Sequence, residues 1–193
     1  MKTFVDKKCQ SALFYLCAIR KIRKYLTSDA SKTLVNALVT SRLDYANSLL
    51  YGINKSYIHK VQLVQNAAAR VISMSNKYDH ITPVLFDLHW LPVAQRIVFK
   101  LLCFTYSCYH GTALSYLVEI VQRKEAKREL RSNNNMILQH KVYNSQYGQR
   151  SFVNSGPLLW NKLPKKLKAC SSLDNFKKHL KTYLFNQYFS SHI

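Results

Sequence analysis

Apolar residues recur at helical spacing from the first turns of the chain. Over residues 2–26 they fall three, four or seven positions apart, which places them on one face of an α-helix. The positions on this face are Val5, Cys9, Ala12, Leu16, Ile19 and Leu26. Arg23 falls over the same face, so we expect its long side chain to run along the apolar surface until its charge reaches water.

The same spacing predicts two further helices. The second begins at a capping residue, Ser28 or Asp29, and stops just before Gly52. Its apolar positions are Leu34, Leu38, Leu43 and Leu49. The third begins at Asn54 or Ser56. Its apolar positions are Ile58, Val61, Val64, Ala68, Val71 and Ile72.

Two prolines mark the starts of the next helices. Thr82-Pro83 has the form of an N-cap followed by proline at the first helical position, and Leu91-Pro92 opens the following helix in a similar way. Residues 93–109 are apolar almost all round. We therefore predict that this segment is the central buried helix.

The pattern becomes irregular beyond residue 122. Residues 123–131 are dense in charge and 132–135 form a polar turn cluster, so 123–150 is predicted to be a basic linker. Within it, 136–138 and 141–143 are candidates for the two strands of a short β-hairpin.

The last segment, 151–193, is predicted to be a helical tail. A helix over 151–161 is broken at Pro164, and Ser171 or Ser172 caps a final amphipathic helix. Its apolar positions are Phe176, Leu180, Tyr183 and Leu184. The predicted fold is therefore mainly α, a packed helical bundle over 1–122 with a basic C-terminal extension.

The balance of charge is strongly positive. The 193 residues carry 29 Lys and Arg against 9 Asp and Glu, a net charge of +20 at pH 7. Residues 1–122 have a net charge of +9, and the shorter stretch 123–193 has +11. Because such an excess repels itself unless a polyanion neutralises it, nucleic acid is the first partner class and an anionic membrane surface the second. The plainer alternative is a solvated basic surface without a partner.

Basic residues gather in three clusters that are candidates for contact with nucleic-acid phosphates. Point charges neutralise the backbone without reading bases, and the 13 tyrosines offer faces on which bases stack. For a single residue, a solvated lysine or a packed tyrosine is the simpler interpretation, but the clusters together favour nucleic acid. The candidate residues are Arg20, Lys21, Lys24, Lys124, Lys127, Arg128, Arg131, Lys162, Lys165, Lys166 and Lys168.

The nine acidic residues do not form a catalytic pattern. Two-metal phosphoryl transfer requires carboxylates that converge on ions about 4 Å apart, and the sequence contains no Asp-Asp pair. Glu125 and Glu129 share a helical spacing, but ion pairs with neighbouring lysines and arginines are the simpler explanation. His80 and His89 lie nine residues apart, which is not a metal-ligand spacing. We therefore expect no catalytic residue, no metal site and no cofactor.

The five cysteines form no C-x-x-C pair, and their odd number does not suit a disulfide framework. We expect buried free thiols in a reducing compartment, and hence an intracellular protein of the cytoplasm or nucleus. The most apolar run, 97–109, is interrupted by Lys100 and is too short to span a bilayer, so no membrane partner is expected.

Five strings of sequence resemble a known family. They are SRLDYANSLLYG at 41–52, VQLVQNAAARVI at 61–72, HITPVL at 80–85, LHWLPVAQRI at 88–97 and PLLWNKLP at 157–164. In this order they resemble the region that follows the polymerase palm in the reverse transcriptases of non-LTR retrotransposons, the LINE elements, of which the jockey-like kind is one. The resemblance covers nearly the whole chain, from about Lys7 to Phe185.

The resemblance implies a thumb of packed helices and a basic tail that grip the template–primer duplex while the palm extends it. In an intact element the catalytic aspartates lie upstream of this stretch, so only a nucleic-acid-gripping role is carried over, by region. The implied partners are RNA or RNA–DNA hybrid, and the palm and fingers of the polymerase. The chain departs from the family at Ala46, where such elements often have cysteine.

Two other functions stay open on the sequence alone. One is a non-catalytic helical interaction module that binds protein or its own copy, and the other is a translated transposon remnant without function. Binding that weakens steeply with salt favours the nucleic-acid role, whereas association that does not respond to nucleic acid favours the module.

Overall fold

The computed structural model describes residues 1–123 and 136–190. Within these ranges the chain is mainly helical and has no β-strand, which confirms the predicted mainly α class. The α-helices of these ranges are α1 (Lys2–Ile22), α2 (Ser28–Val35), α3 (Ser41–Asp44), α4 (Lys55–Ser73), α5 (Ile81–Asp87), α6 (Val93–Tyr109), α7 (Ser115–Ile120), α8 (Gln146–Arg150), α9 (Phe152–Asn161), α10 (Lys165–Lys168) and α11 (Leu173–Phe189). None of them combines the length and the apolar character needed to cross a bilayer.

The chain divides into two compact units. Unit 1 is Met1–Arg96 with Phe185–Ile193, and unit 2 is Ile97–Leu184. The predicted segments 1–122, 123–150 and 151–193 have other boundaries, and that division stays a prediction. Each unit has a core of its own, mainly aliphatic between α1 and α4 in unit 1 and mainly aromatic around Trp160 in unit 2.

The core of unit 1 is built on α1 and α4, which pack together and run parallel. Asp6 near the start of α1 pairs with Lys60 near the start of α4 at 3.0 Å, and Arg23 just beyond α1 donates to Val71 in the last turns of α4. Asn54 caps α4 as predicted, because its Oδ1 accepts from the N–H of Ser56 in the first turn at 2.9 Å. The buried residues of the two helices include Val5, Ala12, Leu16, Ile19, Val61, Val64, Ala68 and Ile72.

The start of α2 differs from the prediction by one residue. Its N-cap is Thr27, whose hydroxyl accepts from the N–H of Ala30 at 3.2 Å. The predicted caps Ser28 and Asp29 are therefore wrong, and both lie in the first turn. A carboxylate in that turn is still favourable, because it faces the positive end of the helix dipole.

A π-helical turn at Asn36–Thr40 joins α2 to α3 and sets which side chains are buried. The buried positions are spaced by four residues. In an α-helix of 3.6 residues per turn, side chains at that spacing move gradually around the helix axis and leave the buried face. A π turn contains more residues per turn, so it brings the later side chains back to the buried face. Of the predicted apolar positions Leu43 is buried, but Leu49 is 62% exposed and Leu34 and Leu38 are only half-buried, so the predicted register is wrong before Leu43. The buried positions are Ser31, Val35, Val39 and Leu43.

The prolines predict the start of one of the next two helices correctly. α6 spans Val93–Tyr109, the predicted range, and follows Pro92 directly. α5 begins earlier than predicted, with His80 as its N-cap, so the prediction of Thr82 as N-cap is wrong. Pro83 is accommodated as the third helical residue because the first N–H groups of a helix have no intrahelical partner.

The end of α11 packs against α5 within unit 1. The Phe86 ring lies 5.3 Å from that of Phe185 and 5.4 Å from that of Phe189, and the Phe185 and Phe189 rings are 4.4 Å apart. Phe189 is 3% exposed. The last turn of the predicted amphipathic helix thus closes the core of unit 1.

The core of unit 2 consists of aromatic side chains from α6, α9 and α11. Tyr106 stacks on Phe176 with ring centres 4.4 Å apart, and Trp160 lies 6.0 Å from Phe176 and 5.1 Å from Tyr109. Trp160 and Phe176 are both fully buried. The predicted start of α11 is confirmed, since the Ser172 hydroxyl accepts from an N–H of its first turn.

Gly156 lets α9 come very close to α6 in unit 2. A Cβ atom at Gly156 would lie 2.7 Å from Oγ1 of the buried Thr105, well inside a normal contact distance. Thr105 Oγ1 is itself fixed, because it donates to the Leu101 carbonyl at 2.9 Å. A glycine at this position is therefore a packing requirement rather than a loop signal.

The predicted hairpin of 136–138 and 141–143 is not confirmed. Leu138 forms an isolated antiparallel bridge with Arg123, and 141–143 have no regular structure. The reason lies in α9. Asn161 accepts from the Leu138 N–H at 2.9 Å and donates to the Leu138 carbonyl at 2.8 Å. Trp160 Nε1 donates to the carbonyl of Met136, so side chains of α9 take up hydrogen-bonding groups that a second strand would use.

Candidate nucleic-acid interface

The first candidate cluster lies at the carboxyl end of α1 in unit 1. The side chains of Arg20, Lys21 and Lys24 are exposed, as contact with phosphates requires. Lys24 also places Nζ 4.8 Å from the centre of the Tyr25 ring, in cation–π geometry, and Tyr25 is 76% exposed. The cluster therefore combines three cations with an open aromatic face.

Arg23 belongs to the same run but is used differently. Its Nε donates to the Val71 carbonyl at 2.8 Å, its Nη2 to the Ile72 carbonyl at 2.7 Å and its Nη1 to the Leu26 carbonyl at 2.9 Å. The side chain is partly exposed, as expected, but its charge is not simply solvated. The guanidinium instead satisfies carbonyls that the end of α4 leaves without an intrahelical partner, where the helix dipole also favours a cation.

A second exposed tyrosine, which the sequence-based selection missed, follows α4. Tyr78 is 91% exposed, and Lys77 Nζ lies 5.8 Å from the centre of its ring. Arg70 holds this turn against α4, because it donates to the carbonyls of Asn76 and Asp79, both at 3.2 Å. The signal that marks the site in the sequence is a Lys-Tyr dipeptide, which also occurs at the end of α1.

The second candidate cluster falls outside the residues that the structure describes. It comprises Lys124, Lys127, Arg128 and Arg131. Its role in binding phosphates stays a prediction from the sequence.

The third candidate cluster, in unit 2, separates into exposed and buried lysines. Lys162, Lys165 and Lys166 are exposed beside or within α10. Lys168 is only 6% exposed, and its Nζ donates to the carbonyl of Asn161, the last residue of α9, at 3.2 Å. Burial, and then the charge of Lys165, lower the pKa of Lys168. Lys168 is thus held in the interior as a helix cap, and three members of the cluster face solvent.

The acidic side chains do not converge on a catalytic centre in the described residues. Four of them pair with single cations. The pairs are Asp6 with Lys60, Asp29 with Lys32, Asp44 with Arg96 and Asp174 with Lys177. Over 1–123 and 136–190, no group of three His, Cys, Asp or Glu side chains could hold a metal ion.

Polar residues of the strings that carry the family resemblance hold unit 1 together. The bonds are Val93 N–H to Gln62 Oε1 at 2.8 Å, Gln65 Nε2 to the Leu91 carbonyl at 2.8 Å and Arg96 Nη1 to Asp44 Oδ2 at 2.6 Å. Each bond joins two different strings. These residues therefore serve the fold, which leaves the exposed surface as the part of the chain that is able to meet a ligand.

The cysteine side chains are free thiols, but they are not all buried as expected. Cys103 and Cys108 are buried, Cys9 and Cys170 are half-buried, and Cys17 is exposed. Burial raises the pKa of Cys103 to about 11, so its thiol stays protonated at neutral pH and is a poor nucleophile. Burial also raises the pKa values of Cys9 and Cys108.

A shallow groove runs along the surface of unit 1 where α1 and α4 meet. It has a volume of about 490 Å³ and is lined mainly by apolar atoms, among them those of Cys9, Leu13 and Leu63. Asp6 and Lys60, which form an ion pair, also line it. Because the cation there is already paired, the groove does not suit a phosphate.

No protein-family model, curated protein or solved structure matches this chain. The features that bear on function are therefore those of its surface. They are the exposed cations at the end of α1, the exposed lysines beside α10, and the two Lys-Tyr pairs of unit 1.

Proposed function

We propose that this chain binds RNA or RNA–DNA hybrid through the backbone phosphates, as a thumb-like part of a non-LTR retrotransposon reverse transcriptase. The observation that carries the proposal is the exposed basic cluster Arg20, Lys21 and Lys24 at the end of α1, in a chain with a net charge of +20. Exposed cations of this kind release counterions from phosphates, a gain in free energy that does not depend on base sequence.

The separation of interior and surface supports a gripping role rather than a catalytic one. In the described residues, the acidic side chain of Asp44 and the amides of Gln62 and Gln65 are engaged in hydrogen bonds of the fold. None of these bonds involves Arg20, Lys21 or Lys24. In this proposal the palm and fingers of the polymerase are the protein partners, and they supply the chemistry.

The test is the binding of a fluorescein-labelled RNA–DNA hybrid, measured by anisotropy over a range of salt. If about four phosphates are contacted, affinity should fall about 100-fold between about 50 and about 200 mM salt. The double change Lys21→Glu and Lys24→Glu should weaken binding at low salt and flatten the salt dependence, because it removes two of the contacts.

The matched control is the double change Lys2→Glu and Lys7→Glu. Both lysines are exposed on the same helix, and the net charge changes equally, but they lie at the opposite end of α1. If the two double variants bind equally weakly, the site is not at the end of α1. If the native chain does not bind hybrid or single strands at low salt, the proposed function is wrong. Concentration-dependent self-association that ignores nucleic acid would then favour an interaction module.

A further inference from the structure

We infer that Lys24, Tyr25, Lys77 and Tyr78 form one surface of unit 1, the paired-tyrosine surface, which binds unpaired bases of single-stranded nucleic acid by stacking. This inference rests on the proposed function and deepens it, because it names the form of nucleic acid that this end of the molecule takes. A duplex offers phosphates to the neighbouring cations, whereas an unpaired strand also offers the faces of its bases.

The two tyrosines lie at the same end of unit 1 because α1 and α4 run parallel. Their starts are joined by the Asp6–Lys60 ion pair at 3.0 Å. Their ends are joined by Arg23, which donates to the carbonyls of Val71 and Ile72. Tyr25 is two residues beyond Arg23, and Tyr78 is six residues beyond Ile72. The two Lys-Tyr pairs are thus presented by neighbouring turns.

Both turns are fixed by arginine side chains rather than by the tyrosines themselves. Arg23 also donates to the Leu26 carbonyl, which closes the turn that carries Tyr25. Arg70 donates to two carbonyls of the turn that carries Tyr78. A single exposed tyrosine is unremarkable on a protein surface. Two whose backbone turns are held by arginines, with 76% and 91% of their surface open, are available as platforms on a preorganised backbone.

Charge at this end favours a polyanion. Lys24 Nζ and Lys77 Nζ lie 4.8 and 5.8 Å from the ring centres of the adjacent tyrosines, so a base that stacks on the opposite face of either ring brings its phosphate close to an ammonium group. Arg20 and Lys21 are exposed on the last turn of α1. The carboxylates nearest to the two tyrosines in sequence already have partners: Asp79 Oδ2 accepts from the Asn76 N–H at 2.7 Å, and Asp29 pairs with Lys32 at 3.6 Å.

The experiment compares three labelled probes of equal length, about 12 nucleotides. They are a single strand of adenine nucleotides, the same backbone without bases, and a blunt duplex. The native chain should bind the base-containing strand more tightly than the abasic strand. The double change Tyr25→Ala and Tyr78→Ala should weaken binding of the base-containing strand by about 25-fold or more, about fivefold for each stacked base. Its affinity for the abasic strand and the duplex should stay within about twofold.

Two control variants separate stacking from folding and from position. Tyr25→Phe with Tyr78→Phe keeps both rings and should bind like the native chain. Tyr45→Ala removes a tyrosine that is 73% exposed near the end of α3, where Lys8 of α1 is bound. Lys8 and Arg23 are separated by about 22 Å along the helix at 1.5 Å per residue, so Tyr45→Ala should leave binding unchanged.

The outcomes distinguish this inference from the function on which it rests. Equal affinity of the native chain for base-containing and abasic strands overturns the stacking surface but leaves phosphate binding intact. An equal loss in Tyr45→Ala overturns its position. Absence of binding to all three probes at low salt removes the proposed function itself. A ribose strand and a deoxyribose strand should bind within about tenfold of each other, because stacking does not use the 2′-hydroxyl, and a larger preference overturns stacking as the main contact.

Discussion

Unit 1 and unit 2 are stabilised by different kinds of contact. In unit 1, long charged side chains end on backbone carbonyls far away in sequence, as when Lys8 donates to the carbonyls of Leu43 at 3.1 Å and Tyr45 at 2.5 Å. In unit 2, aromatic rings pack on one another, with Trp160 and Phe176 fully buried. Directional bonds fix the position of one helix end against another, whereas ring packing supplies buried apolar area.

Because their contacts differ, the two units should be sensitive to different substitutions. A change in unit 2 that removes or adds volume should be costly, because close-packed interiors relax only in part. A change in unit 1 that removes a charged donor should cost less, because water reaches part of the vacated site.

Trp160→Ala should lower the free energy of unfolding by about 3–5 kcal/mol, the range for a large buried side chain. The change leaves a cavity against Tyr109 and Phe176 and removes the bond from Trp160 Nε1 to the Met136 carbonyl. Urea denaturation followed by far-ultraviolet circular dichroism measures it. Trp160→Phe keeps a ring and should cost less than half as much. A loss below about 1 kcal/mol for Trp160→Ala contradicts an aromatic core in unit 2.

Gly156→Ala should destabilise the protein by about 1–3 kcal/mol, although alanine is the better helix former. The added methyl group would lie 2.7 Å from Thr105 Oγ1, so α6 and α9 must separate. The measurement is a double-mutant cycle with Thr105→Ala, which removes the opposing oxygen. The double variant should be more stable than the sum of the two single effects predicts. Strict additivity would show that the two positions are not in contact.

Arg23→Met should cost about 1–2 kcal/mol, because the carbonyls of Val71 and Ile72 lose a charged donor at a partly exposed site. The matched control is Arg20→Met, which removes the same charge from the exposed face of the same run and should stay within about 0.5 kcal/mol of the native chain. Chemical denaturation of both variants is the measurement. Equal stability of the two variants would contradict the structural role of Arg23.

The smallest expected effect is a pH dependence of stability, and it comes from a feature that both units share, a buried lysine at a helix end. Burial lowers the pKa of Lys8 in unit 1 and of Lys168 in unit 2 below the ordinary lysine value of 10.5. Between the lowered folded pKa and 10.5 the unfolded chain binds more protons, so stability should rise with pH in that window. Below this pH window the lysine is protonated in both states, and its burial in the folded state then lowers the stability of the protein.

The measurement compares the native chain with Lys8→Met and, separately, Lys168→Met from about pH 8 to about pH 10.5. Groups that titrate in both members of a comparison cancel in the difference. The native chain should gain stability relative to each variant as the pH rises. A difference that falls with pH would show that the hydrogen bonds to carbonyls outweigh burial at that lysine.

Much of the helical architecture follows from local signals. The start of α4 follows from the Asn54 side chain, and the range of α6 follows from Pro92 and an apolar run of 17 residues. Such signals act within one or two turns and need no knowledge of the partner. The register of α2 and α3 does not follow, because the π turn at Asn36–Thr40 arises where the segment packs on other helices.

The candidate site follows from the sequence only in part, for a similar reason. The exposure of Arg20, Lys21 and Lys24 was predictable, because helical spacing puts them beside or opposite the apolar positions of residues 2–26. The hydrogen bonding of Arg23 was not predictable, because its acceptors lie 48 and 49 residues further along the chain. The burial of Lys168 was not predictable either, since it depends on the contact of its ammonium group with the carbonyl of Asn161 at the end of α9. A count of charge in a basic run therefore overstates how many cations meet a ligand.

The π turn between α2 and α3 has a consequence for changes in chain length. It holds one residue more than an α-helical turn, with Val35 and Val39 buried on either side of the exposed Ala37. Deleting Ala37 would convert the turn to regular α-helix and place the buried positions four, three and four residues apart, the natural period of one helical face. This segment should accept the loss of one residue with its core intact, whereas the same deletion within α1 or α4 would rotate half of a buried face into solvent.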